Sequence, residues 1–275
     1  MPGRDGDNAD PAGAAVADPA RHAMTLFAPA EARPGLWALI AFHAEIAKVR
    51  ETVREPTLGL MRLRWWHDAL DGVFAGAPRA HPAAVALADA VQRHDLPRAP
   101  LDRMIDARER DLDAEPPPDE AALLAYAAAS QGPMIDLAAR VLGRPLDPAI
   151  ADLVGTADAL AGLALAVPFR AAIGRVDLPA DWLAAAGLHA QSVGDRRHRT
   201  RLIDVMRRFV EAAQAARREA VAAVAGHHPT QRPALLPLVA ARRRLVRLAA
   251  VGEDPFDPRL GRPDPWRTLA FWLAA

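Results

Sequence analysis

Residues 34–51 read Pro34-Gly35-Leu36-Trp37-Ala38-Leu39-Ile40-Ala41-Phe42-His43-Ala44-Glu45-Ile46-Ala47-Lys48-Val49-Arg50-Glu51. Leu36, Leu39, Ile40, His43, Ile46, Ala47 and Arg50 recur at three- and four-residue steps, which sets them on one side of a helix. Pro34 favours the start of that helix, because a first-turn residue needs no N–H. The same grammar repeats along the chain. Segments rich in alanine and leucine, both strong helix formers, are separated by proline, and Val/Ile/Thr alternation is scarce. The spacing predicts helices at roughly 18–28, 34–54, 57–75, 82–94, 99–114, 119–142, 147–172, 179–188, 199–225, 233–250 and 265–273.

Several boundaries are marked chemically. Glu115-Pro116-Pro117-Pro118 is a rigid break, and Asp119-Glu120 then places acid at a helix N-terminus. Gly143 ends that helix, Asp147-Pro148 opens the next, and Gly226-His227-His228-Pro229 reads as a loop. No repeat of 20–50 residues is visible. Residues 1–18, rich in Gly, Ala, Asp and Pro, read as a disordered leader, and 19–275 as one compact domain.

Composition narrows the function classes. At 275 residues and 51% hydrophobic the chain can bury a substantial core. With 34 basic and 34 acidic residues no global field recruits nucleic acid or an anionic membrane. The absence of cysteine excludes disulfides, thiolate metal sites and cysteine nucleophiles. No apolar run approaches the ~20 residues that span a bilayer. No basic-then-apolar signal pattern opens the chain. The default is a cytoplasmic protein, with peripheral contact on the inner face of the inner membrane left open.

Lys48 is the only lysine, with Glu45 and Glu51 three residues to either side. Such pairs are solvated contacts worth a few tenths of a kcal/mol. Trp65-Trp66, with Met61 and Leu70, reads as a buried helix face. Asp106, Glu109, Asp111 and Asp113 fall on one expected helix, but Arg103, Arg108 and Arg110 interleave and favour ion pairing. His227-His228 lacks nearby carboxylates and is not read as a metal site. Arg196-Arg197-His198-Arg199 and Arg242-Arg243-Arg244 read as solvated faces, because no aromatics interleave. An anionic lipid surface is their other reading.

The stretch from Phe42 resembles the Phe-Cys-Arg-x-x-Asp-Asp-x-x-Asp helix with which the squalene/phytoene synthase family collects magnesium. Aligned on Phe42, the aspartates fall at Ala47, Lys48 and Glu51, and the arginine at Ala44. Thr25-Leu26-Phe27-Ala28-Pro29 with Arg33, Gly59-Leu60-Met61-Arg62-Leu63-Arg64-Trp65-Trp66, and Asp106 to Leu112 are similar to further family segments. Tyr126 matches the first tyrosine of a tyrosine-rich segment, Ala129 replaces the second, and Gly132 closes it. The family's second aspartate motif falls on residues 159–173, which contain no Asp or Glu, although Gly174-Arg175 and Leu178-Pro179 keep its punctuation. Pro168 is expected to kink that helix. The resemblance covers about residues 20–190.

In that family, magnesium neutralises a departing diphosphate, and carboxylates on facing helices hold the metal. The resemblance implies an all-α, isoprenoid-synthase-type bundle of antiparallel helices around a central cavity. The Gly-Leu-Met-Arg-Leu-x-Trp-Trp segment and the Ala-Glu-Ile-Ala-x-Val-Arg helix are similar to a divergent branch containing a mitochondrial complex I assembly factor. That branch implies a non-catalytic protein that assembles or maintains respiratory NADH dehydrogenase, with a complex I subunit or assembly factor as partner. It implies a prenyl or lipid ligand for the cavity and no cofactor, while the zero net charge and the lack of interleaved aromatics argue against nucleic acid. The phosphate-binding candidates are Arg33, Arg62, Arg170, Arg175 and Tyr126. The alternative is an active magnesium-dependent prenyl transferase joining prenyl diphosphates head to head. It would need Glu45, Glu51, Asp106, Asp111 and Asp158 to converge on one cavity. A third reading, a membrane- or partner-binding module, predicts an exposed apolar patch near Trp65, Trp66, Trp266 or Trp272.

Overall fold

The computed structural model describes residues 13, 15–16, 18–53, 55–227 and 231–274, and among them every regular element is helical. Of the leader expected over 1–18, residues 1–12, 14 and 17 lie outside the described residues, while 13, 15 and 16 are helical. His228 also lies outside them. The principal helices are Pro19–Thr25, Arg33–Ala47, Pro56–Phe74, Pro82–His94, Arg98–Asp106, Glu120–Val141, Pro148–Ala172, Arg199–Ala223, Pro237–Ala249 and Arg267–Ala274.

The expected punctuation works as chemistry. Asp18, Asp119 and Asp147 each accept a hydrogen bond from a backbone N–H of the helix they precede. Proline stands in the first turn of the helices opening at 19, 33, 56, 82, 148 and 237. Gly143, at φ +71°, reverses the chain after Glu120–Val141.

Three expectations change. The 34–54 helix breaks at Lys48 and resumes as Val49–Thr52. The 99–114 helix ends at Asp106, and the chain tightens into a 3-10 turn over Glu109–Leu112. This turn brings Leu112 over Gly59, where a Cβ would lie 2.4 Å from a Leu112 methyl. Pro148–Ala172 is long and apolar enough, by length and composition, to cross a membrane, contrary to the sequence reading. Its most apolar window is nevertheless 67% buried inside the protein. That helix runs on through Pro168.

Pro148–Ala172 is the central element and packs against Glu120–Val141, Arg199–Ala223 and Pro237–Ala249. Its closest approach is to Glu120–Val141. A Cβ on Gly155 would lie 2.3 Å from the Gly132 nitrogen, and one on Gly132 would lie 2.0 Å from an Asp152 oxygen. Only glycine lets these backbones meet so closely. On one side of this pair, Phe42, Trp66, Leu87, Leu101, Met104 and Leu137 form an apolar core. Phe42 meets Trp66 edge to face at 5.4 Å, so Trp66 and Leu70 are core and Trp65 packs half-buried beside them, but Met61, expected on the same buried face, is 64% exposed. On the other side, Leu160, Trp182, Met206, Phe209 and Leu248 form a second core. The polar centre lies where elements of both regions meet.

Candidate functional site: a closed polar centre

Inward-facing polar side chains from seven parts of the chain meet between the helices. His43 reaches in from Arg33–Ala47, at the position its apolar helix face predicted. Its Nε2 lies 2.9 Å from Arg108 Nη2 and 3.1 Å from Gln131 Nε2, while its Nδ1 lies 3.5 Å from Arg21 Nη1. Arg21 donates to Gln131 Oε1 at 2.7 Å, which fixes the amide with its nitrogen toward His43. Two donors therefore converge on Nε2, so the ring is neutral and carries its proton on Nδ1. Burial, reinforced by the Arg21 and Arg108 charges, holds the His43 pKa well below the ordinary 6.5.

Two carboxylates anchor the ends of this centre. Asp158 takes Arg21 at 2.7 Å on one oxygen and Arg244 at 2.5 Å on the other. Asp111 takes Tyr126 OH at 2.5 Å, Arg175 at 2.6 Å and Arg108 at 3.3 Å, with Arg170 at 3.9 Å. Arg170 and Arg175 also pair with Asp177. Burial alone would raise both anchoring carboxyls. Arg244 and Arg21 outweigh it at Asp158, and Arg108, Arg175 and Arg170 at Asp111, so both sit below the usual carboxylate range. Burial and the Asp111 charge push the Tyr126 hydroxyl up.

The network holds five guanidiniums (Arg21, Arg108, Arg170, Arg175, Arg244) against four carboxylates (Asp18, Asp111, Asp158, Asp177), a surplus of one positive charge. Arg108 Nε and Arg175 Nη1 are buried without an acceptor. Beside Arg21 lies an apolar cavity of about 50 Å³ lined by Met24, Leu36, Ile40 and Met134.

Of the catalytic and phosphate-binding candidates read from the sequence, Asp111, Tyr126, Asp158, Arg170 and Arg175 belong to this centre. The other candidates do not. Lys48 is exposed and pairs with Glu45 at 3.1 Å, as the surface reading predicted. Glu51 is exposed, and Ala47 and Ala129 are half-buried. Asp106, expected beside Asp111, is left outside by the helix end and pairs with His67 at 3.0 Å. Arg33 is spent on the backbone carbonyls of Leu26 and Ala28, and Arg62 on the Thr52 hydroxyl, so neither faces the centre. The five carboxylates of the transferase reading therefore do not converge. Among the described residues no group of three or more His, Asp and Glu side chains is placed to hold a metal ion. The 242–244 run is not uniformly solvated either. Arg243 takes Asp264, and Arg244 turns inward to Asp158.

A profile of the squalene/phytoene synthase family matches residues 15–268. The chain belongs to this family. It is 31% identical over 260 residues to NADH dehydrogenase (ubiquinone) complex I, assembly factor 6 of Bos taurus, across 90% of this chain and 75% of that one. The Homo sapiens assembly factor 6 is 29% identical over 261 residues, with the same coverage. Among solved structures, squalene synthase HpnC from Alicyclobacillus acidocaldarius superposes with a TM-score of 0.75 at 22% identity, covering 89% of this chain and 96% of that one. A dehydrosqualene synthase gives 0.79 at 18% identity, covering 95% and 96%. At these identities the structures establish the fold, which is the all-α isoprenoid-synthase type.

Proposed function

We propose that this family member is non-catalytic and acts in the assembly or maintenance of a respiratory NADH dehydrogenase. The observation that carries the reading is the closure of its centre by Arg–Asp pairs. A magnesium site needs several free carboxylate oxygens on facing helices. Here Asp111 and Asp158 are taken by arginines, Glu45 and Glu51 lie outside, and the remaining charge is positive. A cation entering such a centre meets repulsion and a set of donors instead of acceptors. The cavity beside Arg21, at about 50 Å³, is also far below the ~300 Å³ and upward of small-molecule sites. Likeness to assembly factor 6 over 90% of the chain supports the respiratory role.

The net positive charge of the centre favours an anionic group, such as a prenyl or lipid headgroup, over a metal cation, and admitting one requires the closed centre to open. Two experiments test the reading. Calorimetric titration with a non-hydrolysable prenyl thiodiphosphate is expected to show binding without magnesium, or none. Magnesium-dependent turnover of farnesyl or geranylgeranyl diphosphate would instead establish the prenyl transferase. Deletion of the gene in its host is expected to lower assembled NADH dehydrogenase on native gels, and an unchanged level would remove the assembly role.

A further inference from the structure

We propose that the outer face of the Arg267–Ala274 helix, with the arginine-lined clefts beside it, docks on an anionic lipid surface. The helix is fastened by Phe271, which is fully buried near Met24, Leu236 and Ala240 and meets Phe27 edge to face. At about 100° per residue, Leu269 and Leu273 fall on the far side from Phe271 and Trp272 on its flank. Trp266, Trp272 and Leu273 are 63%, 66% and 72% exposed. Residues 268–274 contain no charged side chain. An ordinary surface helix turns charge outward and buries one apolar stripe. This one buries a phenylalanine and turns tryptophan and leucine to the outside.

The surroundings supply the headgroup chemistry. Two adjoining clefts, of about 460 and 320 Å³, share Arg217, Arg242 and Val246. The first is closed on one side by Ala270 and Leu273 of this helix. Arginines 217, 218, 242, 243 and 247 line the two clefts, and no acidic side chain does. Arg243 is neutralised by Asp264, while Arg218 and Arg242 are exposed. In a chain of zero net charge this is a local positive field beside a local apolar face. Apolar and aromatic side chains that enter the acyl boundary, with arginines that keep their charge at the headgroups, describe an interfacial helix. A second copy fits less well, because a two-fold contact would set the arginine row against itself.

The test is flotation of the full-length protein with vesicles of phosphatidylcholine alone or mixed with phosphatidylglycerol. Binding is expected to the mixed vesicles and to weaken in high salt. Each arginine withdrawn from an anionic surface costs about fivefold in affinity, so the Arg218→Glu/Arg242→Glu pair is expected to lose roughly 20-fold or more. Trp266→Ser/Trp272→Ser is expected to abolish binding without lowering the thermal midpoint, since both rings are exposed. Absence of binding to anionic vesicles, or binding that neither variant weakens, would overturn the proposal. So would a mass by light scattering that halves in either variant, which assigns the face to a second copy. Binding of an acidic amphipathic peptide that both variants abolish while vesicle binding persists would assign it to a protein partner.

Discussion

Arg108 Nη2 stands 2.9 Å from His43 Nε2, and this contact joins the two halves of the polar centre. On one side Arg108 reaches Asp111 and Tyr126. On the other, His43 adjoins Arg21, which holds Gln131 and Asp158. A histidine serves at this joint because its neutral ring accepts from Arg108 at Nε2. An imidazolium would face two guanidiniums with no acceptor of its own.

His43 should therefore give the protein a pH-dependent stability. Its folded pKa is depressed, so below about 6.5 the unfolded chain binds a proton that the folded chain refuses. Stability is full above that pH and is lost as pH falls through it, by up to about 1.4 kcal/mol per pH unit. His94, whose pKa burial and then Arg93 lower, adds to the same limb. Asp111 and Asp158 act in the same direction only below about pH 4, from their ordinary 3.8 downward. Urea unfolding from roughly pH 7.5 down to about pH 5 should show the slope. His43→Gln should remove most of it. A variant with the wild-type slope would refute the neutral-acceptor role.

Asp158 carries two guanidiniums, so its loss is felt by both. Removing one partner of a buried pair costs about 3–5 kcal/mol, because charge is left without compensation. Asp158→Asn is expected in this range, since Arg21 and Asp158 are 13% and 5% exposed. Arg244→Met should cost less. Arg244 is 26% exposed, and Asp158 keeps Arg21. Unfolding free energies at neutral pH rank the two, and the reverse order would contradict the assignment of Asp158 as the shared anchor.

The helices were legible because proline, aspartate caps and 3–4 apolar spacing act locally. The breaks at Lys48 and after Asp106 were not. The second is settled by what the chain must reach, Leu112 over Gly59 and Asp111 under Arg175. Half of the centre was visible through residues matching family positions, namely Asp111, Tyr126, Asp158, Arg170 and Arg175. Arg21, Arg108, Gln131, Asp177 and Arg244 were missed. In an arginine-rich chain nothing local separates a buried guanidinium from a solvated one, and Arg244 sits in a run that reads as surface. The available signal was His43, a polar residue on an otherwise apolar helix face.

Lys48 offers a contrast with these buried groups. Its ammonium is 50% exposed and pairs with a Glu45 carboxylate that is 34% exposed. Exposed pairs of this kind contribute roughly 0–1 kcal/mol. Lys48→Ala is expected to change the unfolding free energy by less than about 0.5 kcal/mol and to leave binding of a prenyl thiodiphosphate unaltered. A loss of that binding would show that Lys48 touches phosphate and would reopen the surface assignment.

The closest helix approach gives the last prediction, because two glycines of one helix should respond in opposite directions. A Cβ at Gly155 would fall 2.3 Å from the Gly132 nitrogen and 2.6 Å from the Gln131 carbonyl carbon, both backbone atoms that cannot rotate away. The helices must separate to admit it. Gly155→Ala should therefore cost about 1–3 kcal/mol, the usual penalty of overpacking, offset in part by alanine's helix propensity. Separation would also draw Gln131 away from His43, so the variant should alter the pH slope assigned to that ring. Gly162 lies two turns along the same helix, and a Cβ there meets nothing within 4 Å. Gly162→Ala should stabilise by about 0.5–1 kcal/mol through propensity and reduced freedom of the unfolded chain. Thermal and urea unfolding of both variants measures the pair, and a stabilising Gly155→Ala would contradict the close approach itself.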